Sequence, residues 1–257
     1  MSVHFSLGAT AGETVHFRWL RILARWSVGV ALVSWRYLWA TTPLHRSVEP
    51  GDATDFPPVI PDRLLDDRSQ PLAAGVGPLF HRLFAVTIAN PSVTAATLIA
   101  NVTADLNKGM PSEVAEVERV SGTPGTLTVG DEIVVRMPGP WDGPVRVVHR
   151  SATAVRLATL NGHLEAGQIE FRARPAECST LRFEIEAWAR PGSRLVHLLY
   201  THLRLAKEIQ LNMWVRFCRS AANLAGGRAR GGVTIRTRVV DQTTITTSGG
   251  SEDWALD

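Results

Sequence analysis

Cysteine is almost missing from this sequence. Cys178 and Cys218 stand far apart and outside any Cys-x-x-Cys spacing, so a disulfide framework is not expected, and the pair reads as reduced thiols in a cytoplasmic protein. A strong charge of one sign is missing too, because the formal net charge is +3 over 257 residues. Most of that excess lies near the N-terminus, where Arg18, Arg21, Arg25, Arg36 and Arg46 meet only Glu13 within residues 1–46. The remaining chain is close to neutral, so a nucleic-acid partner is not expected. The apolar run Trp26 to Trp35 falls short of the ~20 residues of a membrane-crossing helix. It follows a long leader and runs into Arg36 without a small-residue cleavage site, so no secretory signal is read.

Familiar catalytic signatures are missing as well. The sequence has no nucleophile elbow, no phosphate-binding Gly-x-x-x-x-Gly-Lys loop and no His-Glu-x-x-His zinc helix. His197 and His202 are five apart, which sets them on different faces of a helix, so neither a metal nor a cofactor is expected. The stretch Gly226 to Gly232, GGRARGG, follows a helix where a dinucleotide loop would follow a strand, and it reads as a helix stop.

What the sequence does have is apolar periodicity. At 45% hydrophobic the chain can bury one substantial core, read here as one domain with long extensions. Residues 1–40 hold a basic amphipathic helix over 14–39, with Arg18, Arg21, Arg25 and Arg36 on one stripe and Trp19, Trp26, Trp35 and Trp39 beside it. Arginine finds anionic phosphate and indole prefers the headgroup boundary, so this helix either contacts an anionic membrane surface or docks on its own domain. Residues 41–78 contain seven of the fifteen prolines and read as a tether lying along a surface.

The body is expected over residues 79–225. Leu79 to Ile88 sets Phe80, Arg82, Phe84, Val86 and Ile88 on one face, which is strand periodicity. Asn90-Pro91 reads as the start of a helix carrying Ala95, Leu98, Ile99, Val102 and Leu106. Six further strands are predicted near 114–121, 127–137, 145–150, 155–160, 168–174 and 181–189. In the last two, Ile169, Phe171, Ala173, Leu181, Phe183, Ile185 and Ala187 point inward, while Glu170, Arg172, Arg182, Glu184 and Glu186 point to a face read as wet. A long helix follows from Ser193 to about Ala225, with Met213, Phe217 and Ala221 on its apolar stripe. Residues 226–257 read as a flexible tail that adds at most one strand near 233–240.

This order of elements, together with Gly162-His163, Glu165-Ala166-Gly167, Ala187-Trp188-Ala189-Arg190-Pro191 and Gln210, resembles the DUF1990 family within the START-like and pollen-allergen superfamily. The resemblance covers about residues 79–225 and implies an α+β helix-grip fold. In that fold a seven-stranded antiparallel curved sheet wraps a long C-terminal helix, and members often keep a cavity between the two. It implies no catalytic residue. The helical end Trp214 to Cys218 departs from the arginine- and tyrosine-rich ending of the family.

Three functional readings remain open at this level. A small apolar or lipid-like ligand would sit between sheet and helix, with Phe171, Phe183, Met213 and Phe217 as wall. Trp141 would stand at the mouth, held by the stiff loop MPGPWDGPV, where Pro138, Pro140 and Pro144 flank an Asp142-Gly143 turn. An enzyme of cyclase or hydrolase type would use His163 and Glu165, which are two apart and share a face of an extended segment, as acid and base. Asp142 and Arg146 are candidates for a third polar group there. A membrane-associated interaction protein would act through the N-terminal helix and need no pocket.

Overall fold

The computed structural model describes residues 43–112, 115–122, 124–137, 142–193 and 204–241. The predicted helix of residues 14–39, Trp141, His197, His202 and residues 242–257 lie outside the described residues.

Alternation of side chains decides the strands. In β2 (Leu79–Ala89) Phe84, Val86 and Ile88 are buried on one face. Then come β3 (Glu116–Ser121), β4 (Glu132–Arg136), β5 (Asp142–Arg150), β6 (Ala154–Thr159), β7 (Glu165–Ala176) and β8 (Thr180–Pro191). Each pairs antiparallel with the next, and β8 returns to pair antiparallel with β2. Seven antiparallel strands therefore occupy the span where seven were expected.

The sheet as a whole has nine strands, which corrects the seven-stranded expectation. Strand β9 (Arg228–Val240) pairs antiparallel with β2, and β1 (Leu44–Pro50) pairs parallel with β9, giving the order β1-β9-β2-β8-β7-β6-β5-β4-β3. The strand allowed near 233–240 is present and starts earlier, at Arg228, so the reading as flexible tail is corrected for 228–232. Val233, Ile235 and Thr237 are buried while Thr234 and Arg236 are exposed, and this strand covers an edge of β2 that would otherwise be unpaired. Strand β1 lies within the proline-rich stretch, where an edge position tolerates the missing backbone donors.

Two helices fill the inner face. Helix α1 (Ala95–Ala104) is capped by Thr94, whose hydroxyl accepts from the Thr97 N–H at 3.2 Å. Asn90, the expected cap, instead takes a left-handed φ of 52° in the turn before it. Helix α2 (Arg204–Leu224) ends in a Schellman turn. Gly226 adopts φ +65°, its N–H donates to Asn223, and the Gly227 N–H donates to Ala222 at 3.0 Å. The expected start at Ser193 cannot be followed through residues 194–203, which lie outside the described residues. Leu98, Ile99 and Val102 of α1 and Met213, Trp214, Phe217, Cys218 and Ala221 of α2 join the inner-face residues in one core.

Much of the outer face of the sheet is not wet, contrary to its sequence pattern, although Arg174, Thr234 and Arg236 remain exposed. Residues 52–74 cross it as a strap. Phe56 and Leu72 pack with Leu79, Trp188 and Val240, and Ile60 and Leu64 pack with Val148 and Ala158. Under this cover the outward charges are buried: Glu184 is 3% exposed, Asp55 3% and Arg146 7%. They survive burial because they are paired. His81 bridges Asp55 at 2.8 Å and Glu186 at 2.7 Å while its ring stacks on Trp188. Arg172 holds Glu184 and Glu186, and Arg146 holds Glu132 and Asp66.

Candidate functional site

A buried arginine interrupts the apolar inner face. The alternation of β2 puts Arg82 on the same side as Phe84 and Val86, and the register sets it beside Ala187 of β8 and Thr237 of β9. Its side chain is enclosed, with the residue 2% exposed. The guanidinium carbon lies 4.9 Å over the Phe80 ring, and Nη1 donates to Oε1 of Gln210 on α2 at 2.8 Å. Nε and Nη2 have no hydrogen-bond partner. Among the described residues no carboxylate pairs with this guanidinium, whereas Arg146, Arg172 and Arg182 on the other face are each paired.

Gln210 couples Arg82 to a second polar group. Its Nε2 donates to Oε2 of Glu165, at the start of β7, at 2.9 Å. A single neutral amide on α2 thus bridges a cation from β2 and an anion from β7. Small residues line the sheet beside this bridge. Ala187 neighbours Arg82, and in the next row Phe80 pairs with Ala189, which pairs with Gly167. Gly167 has φ +155°, and a Cβ there would stand 1.9 Å from the Trp188 carbonyl oxygen, so only glycine lets β7 and β8 approach this closely.

His163 belongs to the same end of the sheet but is joined to Glu165 differently from the expectation. Its Nδ1 lies 2.9 Å from both the backbone N and the backbone O of Glu165, while the Glu165 carboxylate turns to Gln210. The ring leans against Gly143, where a Cβ would meet Nε2 and Cδ2 at 3.2 Å. Burial pushes the imidazole pKa below the ordinary histidine value, against the opposing pull of the Glu165 charge and backbone. The ring is therefore a neutral imidazole near neutral pH. Neither candidate for a third group joins it by a hydrogen bond: Asp142 pairs with Arg136, and Arg146 sits in the outer-face network with Glu132 and Asp66.

The four residues read as pocket wall occupy the closed part of the interface. Phe171, Phe183 and Phe217 are at most 1% exposed and Met213 is 7% exposed. Phe217 meets Phe171 with centroids 5.1 Å apart and Phe183 at 6.0 Å, and Trp214 packs edge-on to Phe171 at 5.8 Å. Around the enclosed Arg82, at the Glu165 end of the sheet, Phe80, Val135, Met137, Ile169 and Gln210 are partly exposed. Trp141, in the loop between β4 and β5, lies outside the described residues. Of the two cysteines, Cys178 is exposed and Cys218 is buried in the core, where burial pushes its thiol pKa far up.

Sequence reasoning overlooked Arg82 as a site residue although its signal was present, namely one arginine in an apolar alternation. The motifs behind the family resemblance converge in space. Gln210 bonds Glu165, Gly167 lies beneath the Trp188 carbonyl, and Gln70 reaches the carbonyls of His163 and Glu165. Arg190 donates to the carbonyls of Gly77 and Leu72, tying the strap to β8.

Among solved structures, the chain is similar to norcoclaurine synthase from Thalictrum flavum at 11% identity, covering 60% of this chain and 88% of that one with a TM-score of 0.43. It is similar to the KanY protein at 11% identity, covering 60% and 99% with a TM-score of 0.42. It is also similar to Ara h 8.0201 at 12% identity, covering 57% and 99% with a TM-score of 0.37. Likenesses of this size decide nothing about what the chain binds. No curated protein matches it. Residues 102–224, from the end of α1 through β8 and α2, match the model of the DUF1990 family, a domain of unknown function, and Glu165, Gly167, Trp188 and Gln210 come together inside that span.

Proposed function

We propose that the protein is a ligand-binding domain of helix-grip type that holds a small apolar or lipid-like molecule between the inner face of the sheet and α2. The observation that carries this reading is the Arg82–Gln210–Glu165 bridge. Polar groups from β2, α2 and β7 converge on an interface that is otherwise apolar, and binding sites for small molecules are built from a few such groups in an apolar setting. The partly exposed Phe80, Val135, Met137 and Ile169 at the same end supply apolar surface for the ligand. In this reading Phe171, Phe183, Met213 and Phe217 form the floor on which the ligand rests, and Trp141 closes the mouth.

An acid–base role for His163 and Glu165 has less support, because the imidazole is tied to main chain and the carboxylate to Gln210. The N-terminal segment adds a second partner to the proposal. Its arginine stripe and four tryptophans suit an anionic membrane surface, so the domain would work in the cytoplasm at the membrane's edge. None of the helices among the described residues is long and apolar enough to cross a membrane. Deleting residues 1–40 should abolish flotation of the protein with anionic liposomes.

Mass spectrometry of the full chain purified without denaturation tests the main reading. A small apolar molecule is expected to travel with the protein at near one-to-one ratio. Finding none, together with no saturable uptake of any apolar probe, would overturn it.

A further inference from the structure

We infer that the unpaired edge of Arg82 is the seat for the carboxylate of an apolar acid, so that the ligand class is a monoanionic acid with a hydrocarbon body. The inference rests on the ligand-binding reading and deepens it. A guanidinium presents its donors in fixed pairs, and Nε–H lies parallel to one N–H of Nη2 along one side of the plane. Those two nitrogens are the ones without partners. The third, Nη1, is taken by Gln210, and one flat face is taken by the Phe80 ring. What stays open is one complete two-pronged fork, the geometry that accepts both oxygens of a carboxylate. The same edge is occupied elsewhere in this molecule: Nε and Nη2 of Arg146 both donate to Glu132, at 3.0 and 2.7 Å.

Charge points the same way. Arg82, a residue 2% exposed with no counter-ion among the described residues, carries a desolvation cost that a paired arginine does not. An incoming carboxylate would supply both missing hydrogen bonds and the missing charge. A single negative charge is what one guanidinium edge matches. Beside Arg82 on the inner face lie Phe80, Phe84, Ala187 and, one strand further, Ile169, so the group attached to the carboxylate meets hydrocarbon. Gln210 holds the arrangement open. By giving its oxygen to Arg82 and its amide N–H to Glu165, it keeps the two charges from collapsing onto each other.

The test uses the full chain and an uncharged fluorescent probe, N-phenyl-1-naphthylamine, displaced by dodecanoic acid and by 1-dodecanol at pH 7 below their aggregation limits. These competitors share a hydrocarbon chain and differ in the head group. Dodecanoic acid is expected to bind the wild type tighter than the alcohol by about tenfold to a hundredfold, the range of hydrogen bonds to a charged group. Arg82→Met should erase that preference, bringing the acid and the alcohol within about threefold of each other in the same variant. Equal affinities in the wild type, or a preference that survives in Arg82→Met, would overturn the inference and leave the apolar-ligand reading standing. If probe, acid and alcohol all fail to bind the wild type, both fall together. Should Arg82→Met not fold, the acid-to-alcohol ratio of the wild type decides the matter alone.

Discussion

The two faces of the sheet handle buried charge in opposite ways. On the outer face, where the strap of residues 52–74 lies, the buried carboxylates of Asp55 in the strap and of Glu132, Glu184 and Glu186 in the sheet each meet a cationic partner within hydrogen-bonding distance. On the inner face Arg82 keeps two donors unpaired in a setting of aromatic and aliphatic side chains. A network in which each of these carboxylates meets a cation is suited to holding the strap in place. A lone charge with an open fork is a feature that folding alone does not explain, and such departures from local consistency are where function is to be sought.

Mutations on the two faces should separate these roles. The largest effect is expected in the closed part of the inner core. Phe217→Ala removes a fully buried ring that contacts Phe171, Phe183 and Trp214, and should cost about 3–5 kcal/mol in denaturant unfolding. Next comes the strap. Asp55 caps its own turn through the Asp52 N–H, binds His81 and approaches Arg238. Asp55→Ala should cost about 2–3 kcal/mol, because it removes the turn's cap and leaves the buried His81 with Glu186 as its remaining carboxylate, and hydrogen exchange should quicken across residues 52–74.

A smaller effect follows from His81. Burial alone would lower its pKa, but the carboxylates of Glu186 and Asp55 outweigh burial and hold the imidazolium above the ordinary histidine value. A raised folded-state pKa gives stability that is fully present below about pH 6.5 and is lost as pH rises through the folded value. The wild type should therefore lose stability as pH rises above about 6.5 and through the folded value, and His81→Gln should flatten that part of the profile. Smallest of all is Arg82→Met. With no carboxylate to strand, it should change stability by no more than about 1 kcal/mol in either direction. A loss as large as that of Asp55→Ala would mean that Arg82 is structural and would erase the contrast between the faces.

The sequence made part of this legible. Strands β7 and β8 follow directly from the alternation of Ile169, Phe171 and Ala173 with Glu170 and Arg172, and of Phe183 and Ile185 with Glu184 and Glu186. That pattern also misled, since it marks which face is polar and cannot say whether another segment covers it. The strap does so through contacts over a hundred residues apart, such as the Gln168 amide with the Pro58 carbonyl, which no local periodicity encodes. The first half of β9 was hidden because Gly231 and Gly232, at φ +74° and +84°, punctuate the strand as a turn would. Glu165 was legible as a candidate only beside His163, its neighbour in the chain. Its partner through the side chain is Gln210, forty-five positions away, and that pairing exists only once α2 lies across the sheet.

The claim at the centre is that a ligand occupies the space between sheet and α2 at the Arg82 end. Fluorescence titration of the full chain with N-phenyl-1-naphthylamine tests it most directly, comparing the wild type with Ala187→Trp, which sets an indole on the inner face next to Arg82. The account predicts saturable one-site binding by the wild type and loss of that binding in a variant that still unfolds cooperatively. Unchanged binding in the variant, or no saturable binding in the wild type, would contradict it.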